Sequence, residues 1–292
     1  MPIKPIIELI NLSHIYNANT ALEKKAVDNI SFNIFPGESI GIIGHTGSGK
    51  STLVQHLNAL LAPTSGKVLI DGEDINHDKK QLKRIRQKVG LVFQYPENQL
   101  FDETVYKDIA FGPKNIGLTE EEIHKRVHMA ISQVRLSEEL LSKSPFELSG
   151  GQKRRAAIAG VLAMNPHILI LDEPTAGLDP GGRDEILSQL AQLHKDNKQT
   201  LLIVSHSMED IAKLTDRIIV MAEGQVLCDG PTKEIFLKHE ELEMAALTVP
   251  QIAKIMGYFR NAGIPVPKDI LNVSDAAKYL HGLFAASNRA GL

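Results

Sequence analysis

Cysteine is almost missing from this 292-residue chain: Cys228 stands alone, which excludes an internal disulfide and suits a reducing compartment. Long apolar runs are missing too. The longest candidate, AAIAGVLAM over Ala156–Met164, falls far short of the roughly 20 residues that cross a bilayer. The opening MPIKPIIELINLSHIY lacks the basic-then-apolar order of a secretory signal. Neither charge sign is in excess: the net charge is -3 and the isoelectric point about 6.4, so no overall basic footprint for nucleic acid exists, although a local patch is compatible with it. Eleven histidines are scattered without zinc-ligand spacing. Internal repeats and low-complexity stretches are also lacking. These absences predict a chain that is soluble in itself and reaches a membrane only through a partner.

What is present is ordinary globular material, 43% hydrophobic and 23% charged with a mean hydropathy of -0.09, ample for a buried core and a second small domain. IIELINLS, ISFNIF and ESIGIIG read as strands, with Pro36-Gly37 turning between the last two. KSTLVQHLNALL reads as a helix ended by Pro63. GKVLIDG reads as a strand, KKQLKRIRQK as a basic exposed helix, and VGLVF as a buried strand. From Pro96 to about Glu147 the texture is helix and loop. Ile123, Val127, Ile131 and Val134 form one apolar stripe there, behind a Thr119/Glu122 capping box. HILIL and TLLIV are continuous apolar runs, the mark of parallel strands buried on both faces, and GGRDEILSQLAQLH and SMEDIAKL read as the helices near them. RIIVMAEGQVLCDG reads as a hairpin turning at Glu223-Gly224. Beyond a boundary between Gly230 and Leu247 the register changes. Ile252, Ile255, Met256 and Phe259 share a helical face, and SDAAKYLHGLF adds a short amphipathic helix.

GHTGSGKST fits G-x-x-x-x-G-K-[ST], directly after a strand and opening a helix, which is the context that motif requires. Gly44, His45, Thr46, Gly47, Ser48, Gly49, Lys50, Ser51 and Thr52 are thereby assigned to ATP. The glycines let the backbone wrap the phosphates, Lys50 neutralises them, and the Ser51 hydroxyl is placed for Mg²⁺. ILILDEP puts Asp172 and Glu173 at the C-terminal end of a buried strand, where ligands collect in open α/β sheets. The pair either caps the next turn or acts on phosphate, Asp172 holding Mg²⁺ and Glu173 serving as general base. Gln94 ends VGLVF and His206 follows TLLIV; each is either a strand-end polar residue or a group aimed at the γ-phosphate. Gln94 would then sense the metal or the water. Tyr16 is either a strand aromatic or a stacking platform for adenine.

A second phosphate-binding pattern stands in FELSGGQKRR. Ser149 is a good N-cap, and Gly150 and Gly151 let backbone N–H groups approach an anion. In isolation a glycine-softened helix start explains it equally well. The residues alone do not say why one chain carries two phosphate cradles.

GHTGSGKST, VFQ, LSGGQ, ILILDEP, AGLD and VSH, in this order over residues 5–235, resemble the nucleotide-binding subunits of ABC transporters. The resemblance implies an α/β P-loop fold of the ABC ATPase type, with a parallel core sheet, an antiparallel β subdomain, an inserted helical subdomain and a small C-terminal helical domain. It implies head-to-tail pairing, in which Ser149, Gly150, Gly151 and Gln152 serve the partner's ATP and Asp179 of AGLD sits at the dimer seam. FQYPENQLFDETVYKDIAFGP, LSGGQKRRAAIAGVLAM and the C-terminal tail are similar to the cobalt and energy-coupling factor type of ATPase, in particular the second of its two paralogues. That implies ATP hydrolysis with Mg²⁺ on the cytoplasmic face of a membrane and import of a vitamin or metal ion. The implied partners are a paralogous ATPase, a transmembrane coupling protein and a small substrate-binding membrane protein, with no nucleic acid. The implied domains are 1–235, with a helical subdomain over about 96–160, and 240–292 for ATPase pairing. A soluble ABC-type ATPase acting on nucleic acid or ribosomes is the competing class; the coiled-coil insertion, tandem ATPase domains or zinc-binding cysteines of such relatives are not found here. A phosphate-transferring kinase would use the first loop but leave LSGGQ unexplained.

Overall fold

Short runs of branched apolar residues dominate the centre of the protein, and the computed structural model, which describes residues 3–75 and 82–289, shows why they can be apolar without interruption. Strands β3 (Ser39–Ile43), β6 (Val89–Val92), β7 (Ile168–Asp172), β8 (Thr200–Val204) and β9 (Arg217–Ala222) lie parallel in the order β9-β3-β8-β7-β6. Antiparallel β10 (Gln225–Pro231) closes the β9 edge. Side chains alternate between the two faces. Leu169, Leu171, Leu201, Ile203, Ile218 and Val220 enter one core with helices α6 (Pro180–Asn197) and α7 (Met208–Leu214). Their sequence neighbours Ile168, Ile170, Leu202, Val204, Ile219 and Met221 enter a second core with helix α1 (Lys50–Leu57). With both faces covered, neither set of positions tolerates a polar side chain.

The second core is roofed by an antiparallel sheet of β2 (Lys24–Ile34), β1 (Ile7–Tyr16), β4 (Ser65–Ile70) and the two-residue β5 (Glu73–Asp74). Ile7 faces Ile34 and Leu9 faces Phe32; the register then shifts near Asn11 and Asn29, both of which adopt positive φ, as asparagine tolerates. Tyr16 finishes β1 opposite Lys24 at the start of β2. The β9–β10 hairpin turns at Glu223 and Gly224, both at positive φ, as the expected tight turn demands.

Helix α2 (Leu82–Lys88) leads into β6; the Lys79–Gln81 part of the expected basic helix lies outside the described residues. Between β6 and β7 the chain inserts α3 (Val105–Ile116), α4 (Glu120–Gln133) and α5 (Gly150–Leu162). The stripe of Ile123, Val127, Ile131 and Val134 is buried, and Thr119 and Glu122 form a reciprocal capping box. After α8 (Thr232–Ile235), the tail folds as α9 (His239–Met244), α10 (Gln251–Asn261) and α11 (Val273–Arg289). Leu242, Val249, Ala253 and Leu271 join the first core, whereas Met256, Val266, Ile270 and Ala276 form a small core of their own. Among the described residues no helix is long and apolar enough to cross a membrane.

Two expectations need correction. Helix α1 stops at Leu57, short of Pro63: the Asn58 side chain donates to the Val89 carbonyl and Ala59 takes positive φ, so tertiary contacts end the helix before the proline is reached. In α10, Ile255 is 46% exposed and Ala253 takes its place, because the helix is wedged between two cores along its Ala253–Met256 side.

Ile203 is fully buried in the middle of the parallel sheet. Replacing it by alanine removes three methyl-sized groups from a site that cannot collapse. The expected cost is about 2–5 kcal/mol, seen in urea unfolding as a lower midpoint with an unchanged slope.

Candidate nucleotide-hydrolysing site

Because the core strands are parallel, the segments following β3, β6, β7 and β8 emerge at one edge. Tyr16, Lys24, Ala26, Thr46, Gly47, Gly49, Lys50, Ser51, Thr52, Gln94, Asp172, Glu173 and His206 line one cleft there, enclosing about 450 Å³. The loop between β3 and α1 wraps a hollow. Gly49, at φ 101, has no room for a Cβ, which would sit 2.3 Å from the Ala26 carbonyl oxygen. Lys50 reaches back into the hollow and donates to the carbonyl oxygens of Gly44 at 2.7 Å and His45 at 2.9 Å. The exposed loop amides and this cation together suit a polyanion.

Gly44 and Ser48 are buried beneath the loop, close to each other and to the Met221 carbonyl; they shape it without lining the cleft. His45 turns the other way. Its Nδ1 donates to the Thr46 carbonyl at 2.8 Å, and the ring borders a separate cavity with Glu223, Leu227, Glu241 and Met244.

At the opposite wall, Asp172 ends β7 and Glu173 takes positive φ while its N–H still bonds the Val204 carbonyl at 2.9 Å. That continues the sheet register by one residue and turns the carboxylate into the cleft. His206 Nδ1 lies 2.8 Å from Glu173 Oε2. Burial pushes the Asp172 carboxyl above its ordinary value, and the neighbouring Glu173 charge adds to this; a hydrogen bond from Ser51 and the Lys50 ammonium pull the other way. Burial lowers Lys50, against the raising effect of Glu173 and Asp172. Among the described residues no group of three or more His, Cys, Asp or Glu side chains could hold a metal by itself. The Ser51 hydroxyl, the Asp172 carboxylate and the Gln94 amide offer oxygen donors that need further ligands from a bound phosphate.

Two of the expected groups lie elsewhere. Ser149, Gly150, Gly151 and Gln152 do not line the cleft. They start α5: Ser149 Oγ accepts from the Gln152 N–H at 3.3 Å, and Gln152 Oε1 accepts from the Ser149 N–H at 2.9 Å. A Cβ on Gly150 or Gly151 would meet nothing within 4 Å. Asp179 is exposed at the start of α6, its Oδ1 accepting from Gly182 N–H at 2.7 Å.

Several participants carry no motif. Lys24 and Ala26 come to the cleft only through the β1–β2 pairing. Tyr16 Oη lies 3.2 Å from Thr52 Oγ1, and the ring meets His14 edge-on at 4.5 Å between centroids. Behind them, fully buried His56 donates from Nδ1 to the Thr52 carbonyl at 2.7 Å and faces His14 Nδ1 through Nε2 at 3.1 Å. Since the carbonyl claims the Nδ1 proton, neutral His56 has an accepting Nε2. Spacing in the sequence offers no signal for either pair, because the residues meet across two elements.

Fold and cleft together define a P-loop nucleoside-triphosphatase: a phosphate loop after one parallel strand and an acidic pair at the end of another, with glutamine and histidine on the neighbouring strand ends. The sequence profile of the ABC transporter family matches residues 27–176. The energy-coupling factor transporter ATP-binding protein EcfA2 of Caldanaerobacter subterraneus subsp. tengcongensis is 54% identical, covering 96% of either chain. The protein of the same name from Clostridium perfringens is 53% identical over 97% of this chain and 99% of its own. Among solved structures, cbiO1 from Clostridium perfringens, described as part of the ABC transporter complex cbiONQ, superposes with a TM-score of 0.73 at 41% identity, over 87% of this chain and 99% of that one. A dimeric ATP-binding cassette in a post-hydrolysis state with ADP and Pi superposes with a TM-score of 0.70 at 31% identity, over 77% of this chain and 98% of that one. The chain therefore belongs to the ABC transporter family, among its energy-coupling factor ATP-binding subunits, and is an ATPase.

Burial holds His56 below the ordinary imidazole value of 6.5. Its neutral form is favoured in the folded state, so the unfolded chain binds the extra proton first and stability falls as pH drops through 6.5. The wild-type melting temperature is expected to fall more between about pH 7.5 and pH 5.5 than that of His56→Gln. Parallel pH profiles would remove His56 as the source.

Proposed function

We propose that this chain is the ATP-hydrolysing motor of an energy-coupling factor importer for vitamins or metal ions, held peripherally on the cytoplasmic face of the cell membrane. One observation carries this reading: the chain has two glycine-containing helix starts that carry a phosphate-binding pattern, and only one of them faces its own cleft. Lys50, Asp172, Glu173 and His206 line the cleft, whereas Ser149–Gln152 stand outside it with open space around both glycines. A second ATPase paired head to tail would place its ATP against that surface, and Asp179 would lie along the seam.

Within the chain's own cleft the roles follow from position. Tyr16 stacks on adenine, and Thr46, Gly47 and Gly49–Thr52 hold the phosphates on a loop whose shape Gly44 and Ser48 set. Lys50 exchanges the Gly44 and His45 carbonyls for phosphate oxygens. Glu173 accepts the proton of the attacking water, and His206, which lies beside Glu173, hydrogen-bonds the γ-phosphate. The oxygen donors of Ser51, Asp172 and Gln94 fit Mg²⁺. When bound, it supplies charge neutralisation at the phosphate oxygens.

The segment after Gln94 supports docking to a transmembrane coupling protein. Tyr95, Phe101 and Phe111 are 45%, 63% and 47% exposed, and the two phenylalanines meet edge-on at 5.1 Å, a surface too apolar to serve water alone. The coupling protein would in turn carry a small substrate-binding membrane protein. Residues 240–292 are assigned to pairing the two ATPases and residues 1–235 to the ATP-binding domain, with its helical subdomain over about 96–160. No nucleic acid is among the partners.

Glu173→Gln in the assembled transporter is expected to bind ATP and to hydrolyse it at least about tenfold more slowly. Turnover near wild type would rule Glu173 out as the base. Ser149→Arg is expected to leave ATP binding to the isolated chain unchanged and to abolish ATP-driven association with the second ATPase. Sedimentation with and without ATP distinguishes this from a signature segment that serves only its own helix.

A further inference from the structure

Among the described residues Arg154 is the largest fully buried side chain, at 1% exposure, and it lies two residues beyond the signature segment on α5. A guanidinium in such a position demands full pairing. Nε and Nη2 donate to the two carboxylate oxygens of Glu97 at 3.0 and 2.9 Å, a bidentate fork across 57 residues of chain. Nη1 donates to the carbonyl oxygens of Pro174 at 3.2 Å and Ala176 at 2.8 Å. One cation thus ties its own helix to two other segments. Glu97 stands in the short 3-10 turn Pro96–Gln99, just after Gln94 and beside the exposed aromatic surface of Tyr95 and Phe101. Pro174 and Ala176 form the turn directly after Glu173, on the way to Asp179. The far side of that turn is anchored as well, by a Thr175 hydroxyl bond to buried Asp210 at 2.7 Å.

We propose that Arg154 is a positioning residue that makes these segments move as one body. A displacement of the Tyr95–Phe101 surface would pass through Glu97 to the guanidinium. From there it reaches the turn behind Glu173 and the α5 start that carries Ser149. The same strut therefore sets groups of this chain's own ATP cleft and groups lent to the partner's ATP. The fork is specific to arginine: lysine keeps the charge but cannot bind two carboxylate oxygens and two carbonyls in one plane. This inference rests on the roles assigned above to Gln94, Glu173 and Ser149.

The test compares Arg154→Lys, Glu97→Gln and the double variant, each in the assembled transporter, with ATP turnover, ATP affinity of the ATPase chain alone, and melting temperature as readouts. The expected result is unchanged ATP affinity of the isolated chain with kcat of the complex reduced about tenfold to a hundredfold. The double variant should be no worse than the more impaired single one, because both break one linkage. Wild-type kcat in both single variants would overturn the proposal. So would a loss of kcat that only follows the loss of folded protein, since a packing role alone does that. Glu173→Gln is run alongside: normal turnover there, with Arg154→Lys impaired, would overturn the assignment of Glu173 and leave the strut standing.

Discussion

The phosphate loop and the polar strand ends of the cleft depend on one geometric constraint: strands that run parallel deliver their C-terminal ends to the same edge. The four strands in the order β3-β8-β7-β6 carry, in turn, the phosphate loop, His206, the Asp172-Glu173 pair and Gln94. Neighbouring strands are about 4.8 Å apart, so three steps across the sheet span only about 14 Å. That is within the reach of a bound triphosphate and its surrounding side chains. The burial of β3, β7 and β8 on both faces is what keeps this spacing fixed. The two hydrophobic cores are thus part of the site's accuracy as much as of the fold's stability.

The electrostatics of the cleft follow from the same packing. Lys50 and Asp172 are both pushed by burial toward their neutral forms, and each partly offsets that push on the other. The ammonium rests on backbone carbonyls, which satisfy it without neutralising it. In the reading proposed above, an incoming phosphate would add countercharge to that of Glu173 and Asp172. The cleft is therefore matched by charge to an anion.

Much of this was legible in the residues, and the parts that were not share a cause. Continuous apolar runs gave away the doubly covered strands, the Thr119/Glu122 pair its helix start, and Glu223-Gly224 its hairpin, because each is a local rule acting within a few residues. Phosphate-loop residues share one cleft with Asp172, Glu173, Gln94 and His206 because strand ends are also a local property. Position in the sequence alone did not reveal the end of α1, which a side chain of Asn58 reaching Val89 decides, or the outward turn of Ile255, which depends on two cores meeting one helix. Arg154 and Glu97 look like unremarkable surface charges until 57 residues of intervening chain bring them together. His14 and His56 look like scattered histidines for the same reason.

The cap at the start of α5 has a consequence of its own. Ser149 Oγ uses a lone pair to accept from the Gln152 N–H, and Gln152 returns the favour to the Ser149 backbone. The oxygen is held in place, yet its hydroxyl hydrogen is not consumed by the cap. A serine fixed this way has lost its rotamer freedom during folding, so a later encounter with an anion incurs little further ordering cost. In the head-to-tail pairing proposed above, this helix start would act as a preset donor, and folding of one subunit would supply in advance part of the order required for assembly with the next.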